Sequence, residues 1–244
     1  MKRNALRLVG VLAIVATIAA GCGNDDKTTS AASASDTGAA SSMDHSSSGS
    51  SASSASGSGS GSGVATETAA AELRVGLTAL LQEHVYLAGI ATSVALSGGD
   101  LKPPAAALDK NSVALADAVG SVYGKPAGDQ FLALWRKHIG FFVDYTNAAA
   151  KGDAAGKAKA VKDLDQYRAD FDAFLTGANP NLPKGAVAAD LIPHVQSLAV
   201  AIDAQAAKDP TQFDKLAAAA AHMPMTAKIL AGAIVKQYPD KFKA

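Results

Sequence analysis

The chain has 244 residues, 22 basic and 22 acidic side chains, a formal net charge of zero and a single cysteine. A neutral chain lacks the basic surface that nucleic-acid binding needs, and it shows no polybasic membrane patch. One thiol leaves no internal disulfide and no multi-thiolate metal site.

The first segment carries Lys2, Arg3 and Arg7, then an apolar stretch from Leu8 to Ala20, then Gly21-Cys22. A basic start, a short hydrophobic span and small residues before a cut site predict a secretory signal peptide over 1–21. With cysteine after the cut, the segment resembles a bacterial lipoprotein signal, although Ala19 stands where Leu or Val is usual. That resemblance implies lipid on Cys22, attachment to the membrane and an extracytoplasmic address. The alternative is a transmembrane anchor, but about 13 apolar residues are too few for about 30 Å of hydrocarbon.

Residues 22–63 are almost all Ser, Ala, Gly, Asp and Thr. Such a composition offers no apolar surface to offset the entropy of ordering, which predicts a disordered tether. As a Gly/Ser coil it reaches about 35 Å.

Residues 64–244 are predicted to fold as one all-α domain, an up-down bundle of six helices. The first helix, near 67–97, presents Leu73, Leu77, Leu80, His84, Leu87, Ala91 and Ala95 as one stripe. The second, near 104–123, follows Pro103-Pro104 and stops at Gly124. The third, near 127–151, carries Phe131, Leu134, His138, Phe141 and Tyr145. The fourth, near 154–176, starts after Asp153 and carries Val161, Leu164, Tyr167, Phe171 and Phe174. The fifth, near 186–208, carries Leu191, His194, Leu198, Ala201 and Gln205. The sixth, near 211–237, follows Asp209-Pro210 and carries Leu216, Ala220, Met223, Ala227, Leu230 and Ile234. Steps of three and four residues are the helical period. Asp153 and Asp209 suit N-caps. Pro193 and Pro224 fall inside the last two helices and are expected to kink or break them.

Three segments look alike, beginning at His84, His138 and His194 and closing at Asp100, Asp153 and Asp209. They suggest three repeated helical hairpins, although the sixth helix does not follow the pattern. In an up-down bundle the odd helices run the same way, so His84 and His138 should face one another across the core. His194 joins them if the fifth helix lines that core.

Two readings of these histidines stay open. In one they bind a metal, since neutral imidazole suits Zn, Cu, Fe or Ni. Glu83, Asp109 and Asp144 would then add ligands or outer support. In the other, each is a core histidine bonded to a neighbouring helix. His222-Met223-Pro224-Met225 adds an imidazole and two thioethers, and Met43-Asp44-His45 repeats that chemistry in the tether. Thioether with imidazole is what Cu(I) prefers, whereas Met223 on an apolar stripe is equally good core filler. Trp135, Phe141, Phe142, Tyr145 and Tyr167 read as core, with a small-molecule pocket as the alternative. The chain contains no phosphate-binding glycine loop, nucleophile elbow, helical zinc-protease pair or haem-attachment motif.

The strings Glu83-His84-Val85-Tyr86-Leu87-Ala88, Leu134-Trp135-Arg136-Lys137-His138-Ile139 with Phe142-Val143-Asp144-Tyr145-Thr146, and Tyr167-Arg168-Ala169-Asp170-Phe171 carry a resemblance. They resemble a family of secreted bacterial helical-bundle lipoproteins, loosely labelled with the N-terminal domain of copper amine oxidases. The resemblance implies a fold and an address, not a reaction. The oxidase needs a quinone-forming tyrosine in an Asn-Tyr-Asp/Glu string, which this chain lacks.

The residues therefore point to a lipid-anchored extracytoplasmic domain that binds a ligand without catalysis, a metal ion such as copper being the most concrete ligand. The alternatives are a metal-dependent redox protein or enzyme, and a structural or protein-interaction module of the envelope.

Overall fold

The computed structural model describes residues 65–243. Cys22, the signal segment, the tether and Met43-Asp44-His45 lie outside the described residues. The described chain is all helix, in seven α-helices. They are α1 (Ala69–Ser97), α2 (Lys102–Tyr123), α3 (Lys125–Lys151), α4 (Ala154–Ala178), α5 (Ala186–Ala206), α6 (Gln212–Ala221) and α7 (Met223–Gln237).

The sixth expected helix is thus two. Pro224 has no N–H to donate and its ring crowds the preceding turn, so α6 ends at Ala221 and α7 begins at Met223. Pro193, by contrast, sits inside an unbroken α5. Asp153 caps α4, accepting from the Gly156 amide at 2.9 Å. Asp209 does not cap α6; it accepts from Thr211 N–H and braces the turn one residue earlier.

Consecutive helices α1 to α6 pack side by side, and α1 also touches α3, α5, α6 and α7. Direction follows from paired contacts. Thr92 Oγ1 donates to Gln205 Oε1 at 2.7 Å, and Tyr145 OH donates to Asp203 Oδ2 at 3.0 Å. These partners lie C-terminal to the histidine of their own helix in α1, α3 and α5, so the three run parallel.

Their ends match as well. Each closes on a residue in the left-handed region: Gly98 (φ 74°), Gly152 (φ 65°) and Lys208 (φ 55°). The offsets 98 − 84, 152 − 138 and 208 − 194 all equal 14. In each case the next amide reaches back across the turn, Gly99 to Val94 O, Asp153 to Ala148 O and Asp209 to Ala204 O. That is the 6→1 bond of a Schellman cap. The three histidines therefore stand at one register above three equivalent helix ends.

Three described stretches, Ala69–Ser97, Ala186–Ala206 and Gln212–Gln237, are long and apolar enough to cross a membrane by length and composition. In the bundle they pack on one another, and His84, Thr92, His194 and Gln205 on them are buried.

Candidate functional site: a histidine pair beside an internal cavity

Helical period alone sends His84, His138 and His194 inward. Each stands where an apolar stripe of α1, α3 or α5 meets the core, and they are only 2%, 3% and 6% exposed. His84 Nε2 and His138 Nε2 lie 3.2 Å apart. Aromatic rings close around the pair. Trp135 is 4.8 Å from the His84 ring and 4.5 Å from the His138 ring. Tyr167 stacks on His138 at 4.8 Å and 24°, and Phe171 stacks on Tyr167. His194 stands beyond Phe142, whose ring also meets His138 edge-on.

The pair borders a cavity of about 70 Å³. His84, His138, His194, Trp135, Tyr167 and Met223 contribute to its wall, and no carboxylate does. Several buried polar atoms around it have no hydrogen-bond partner: Nδ1 of all three histidines, Trp135 Nε1 and Tyr167 OH. An unmet buried polar group costs about 1–3 kcal/mol, so this concentration is energetically expensive unless a guest satisfies it.

Burial keeps the imidazoles neutral. It lowers His84 to about 3, with the charge of His194 adding to the effect. His138 is held well below its usual value by burial, then by His84 and His194. His194 is lowered to about 4 by burial and by His222. A neutral ring carries one N–H and one lone pair, so the tautomer decides what the site can bind.

Asn111 and the Trp135 carbonyl bear on the protonation of the two rings. Both amide hydrogens of Asn111 are engaged, by Leu80 O at 3.0 Å and Glu83 Oε2 at 2.8 Å. Asn111 is left with its unpartnered Oδ1, and its interaction with His84 favours an N–H on the ring. On His138 the Trp135 carbonyl acts in the same sense. Neither Nδ1 has a hydrogen-bond partner, while the two Nε2 atoms lie within hydrogen-bond distance of one another. With Nδ1 protonated on each ring, two bare Nε2 lone pairs would face one another; with the proton on one Nε2, the two rings share a hydrogen bond.

The remaining expected ligands divide. Glu83 is exposed and reaches the site only through Asn111, because adjacent helical residues point about 100° apart. Asp144 is exposed; six residues after His138 it is turned about 240° around the helix. Asp109 pairs with Arg136 on the surface. His222 Nε2 donates to Asp190 O at 2.6 Å and lies 3.3 Å from Asp190 Oδ1, while Thr226 Oγ1 donates to Asp190 Oδ2. Met223 is buried on the cavity wall, but Met225 is 51% exposed. The His-Met-Pro-Met string is therefore not one ligand cluster. Among the described residues, no three His, Cys, Asp or Glu side chains converge on a common point.

Sequence reasoning missed Asn111 and Asp190. Asn111 follows Leu108 by three residues and precedes Leu115 by four on α2, a polar break in an apolar face, which was the available signal. It also missed buried Asp172, whose carboxylate accepts from Gly185, Val187 and Ala188 N–H and so caps the start of α5 from a neighbouring helix.

No protein-family model matches the chain, and neither the curated proteins nor the solved structures contain a significant match.

Proposed function

We propose that this protein is a lipid-anchored extracytoplasmic binding domain that holds one copper ion, as Cu(I), at the His84–His138 pair. The address rests on the sequence of the first 22 residues and on the family resemblance. The ligand rests on one observation above all: two buried, neutral imidazoles whose Nε2 atoms lie 3.2 Å apart.

Two imidazole nitrogens bound at 2.0–2.1 Å to one ion at a tetrahedral angle lie about 3.3 Å apart. The pair fits that spacing. Ligating histidines almost always give their other N–H to an acceptor; Asn111, whose Oδ1 is buried and unpartnered, is the side chain that bears on His84. The wall is mostly hydrocarbon, with Arg168 paired to Asp165 at its edge, and its uncharged donors are imidazole and thioether with no carboxylate, a set that suits a soft singly charged ion better than Zn²⁺ or Mg²⁺. His194 and Met223 are the wall donors available to complete the coordination.

The competing reading is a plain hydrogen bond, Nε2–H to Nε2, within a structural core. The test is competition between the full chain and a chromophoric Cu(I) chelator under anaerobic conditions. One copper per chain is expected, with affinity falling about 100-fold or more in His84→Ala and in His138→Ala. Absence of bound copper, or wild-type affinity in both variants, would establish the structural core instead.

A further inference from the structure

The cavity is longer than the histidine pair needs. Along its wall α1 contributes from Leu73 to His84, α3 from Phe131 to Phe142 and α4 from Leu164 to Leu175. Each interval is three turns of helix, or about 16 Å at 1.5 Å per residue. The two ends differ. At the inner end His84 is 2% exposed and Leu164 is fully buried. At the other end Leu73, Val122, Tyr123 and Ile234 are only half-buried. The cavity therefore runs along the bundle from a mouth among helix ends to a closed floor at the histidines.

A hydrogen-bonded latch crosses the mouth. Asn179 Nδ2 donates to Tyr123 OH at 3.0 Å, and Tyr123 OH donates to Gln237 Oε1 at 3.1 Å. Gln237 Nε2 donates to Ala178 O at 3.0 Å. These bonds tie together the C-terminal ends of α2, α4 and α7. Where water can replace such bonds, opening them costs little.

Between mouth and floor the wall is hydrocarbon, with Leu77, Val119 and Leu230 in it. Arg168 enters that wall with its charge engaged, Nη2 donating to Asp165 Oδ1 at 2.7 Å and Nη1 to Ala188 O at 2.6 Å. A buried water needs about two to four polar partners, whereas an apolar cavity stays dry and takes apolar guests. The centre of a water-sized body can range over about 70 Å³ of this space. Drawn out over three turns, that volume is a bore one hydrocarbon chain wide, too narrow for fused rings or a two-chain lipid.

We infer that this bore binds one unbranched alkyl chain of a single-chain amphiphile, a fatty acid or a lysophospholipid, and leaves the polar head in water at the Tyr123–Asn179–Gln237 mouth. The inference rests on the length and hydrocarbon lining of the cavity and is independent of the copper reading, whose ligands lie at the floor. Binding buries apolar surface and makes or breaks no covalent bond.

The test is binding of cis-parinaric acid, a fluorescent straight-chain fatty acid, to the copper-free full chain carrying Cys22→Ser, so that no attached lipid competes. Trp135 is the only tryptophan and lies on the wall, so energy transfer from its indole reports a chain in the bore. We expect saturable transfer at one parinarate per chain. Saturated fatty acids should displace it, about fourfold more tightly for each added methylene. That gain should stop once the chain matches the bore, about 16 Å. Val119→Phe narrows the bore and should weaken binding about tenfold or more. Gln237→Ala cuts the latch at a half-buried side chain and should speed entry and release about fivefold, the worth of one hydrogen bond. Displacement by dodecanoate alone assigns the free acid; displacement by lysophosphatidylcholine as well admits the lipid. Absence of transfer, or displacement that does not depend on chain length, overturns the site, and this series needs no variant to fold. Parinarate bound equally by wild type and Val119→Phe overturns its place in the bore, and unchanged rates in Gln237→Ala overturn the mouth. Copper is absent throughout, so failure here leaves the copper reading intact.

Discussion

Two buried polar clusters sit on α1 and α5 about two helical turns apart, and they are completed differently. Around Thr92 and Gln205 every group has a partner. Thr92 Oγ1 meets Gln205 Oε1 at 2.7 Å, and Gln205 Nε2 donates to Gly89 O at 2.9 Å. Around His84, on the same helix, three Nδ1 atoms, an indole N–H and a phenol O–H are left open beside a cavity. A closed network ties helices together and has nothing further to bind. An open one of this density is destabilising unless trapped water or another guest completes it.

Acid should separate the two clusters most strongly. An unfolded histidine takes a proton near pH 6.5, whereas burial holds His84 down to about 3 and His194 to about 4 in the fold. Between these values the unfolded chain binds more protons, so stability falls as pH falls. The slope is about 1.4 kcal/mol per pH unit for each such ring, and the curve should flatten above pH 6.5. Urea titrations of the copper-free chain from pH 8 to pH 4 measure it. A pH-independent midpoint would mean that the rings are not buried as neutral bases.

Asn111→Leu should act on the open cluster. It removes the side chain whose interaction with His84 favours an N–H on that ring, and outer partners of metal-bound histidine are worth about 10–100-fold in affinity. Chelator competition should show that loss, with the copper stoichiometry unchanged. In the closed cluster, Gln205→Ala should cost about 1–3 kcal/mol of stability by removing two buried hydrogen bonds, while Thr92 Oγ1 keeps its bond to Gly89 O. Its copper affinity should stay within about threefold of wild type, and coupled loss of both properties would merge the two clusters into one.

The smallest effect has the opposite sign. Tyr167→Phe removes a buried hydroxyl that has no partner, and the copper-free variant should be more stable by about 1 kcal/mol. Thr92→Val, a similar deletion at a satisfied hydroxyl, should be less stable by about 1 kcal/mol. Thermal unfolding of the two variants side by side checks the pair. Matching signs would remove the distinction between open and closed.

The pairing of His84 with His138 was legible because both break apolar stripes at one distance from equivalent helix ends. Lys208 adopts the left-handed cap that glycine fills at 98 and 152, so the third repeat was partly hidden by composition. The carboxylates were misjudged for a rotational reason: Glu83 and Asp144 are near the histidines in sequence but around the helix from them. Asn111 could not be found from α2 alone, since its role depends on which hydrogens α1 takes from it. Met223 and Met225, two residues apart, were bound to face different ways on a helix, and only packing decides which one meets the cavity.

The central claim is that the His84–His138 pair is a metal site rather than a closed core contact. Trp135 is the only tryptophan in the chain and lies within 5 Å of both rings, centre to centre. Anaerobic Cu(I) titration of the full chain, followed by Trp135 fluorescence, tests that claim most directly. Saturable quenching that ends at one copper per chain and disappears in the His84→Ala, His138→Ala double variant is the predicted result. Fluorescence unchanged by copper, or quenched equally in that double variant, would contradict it.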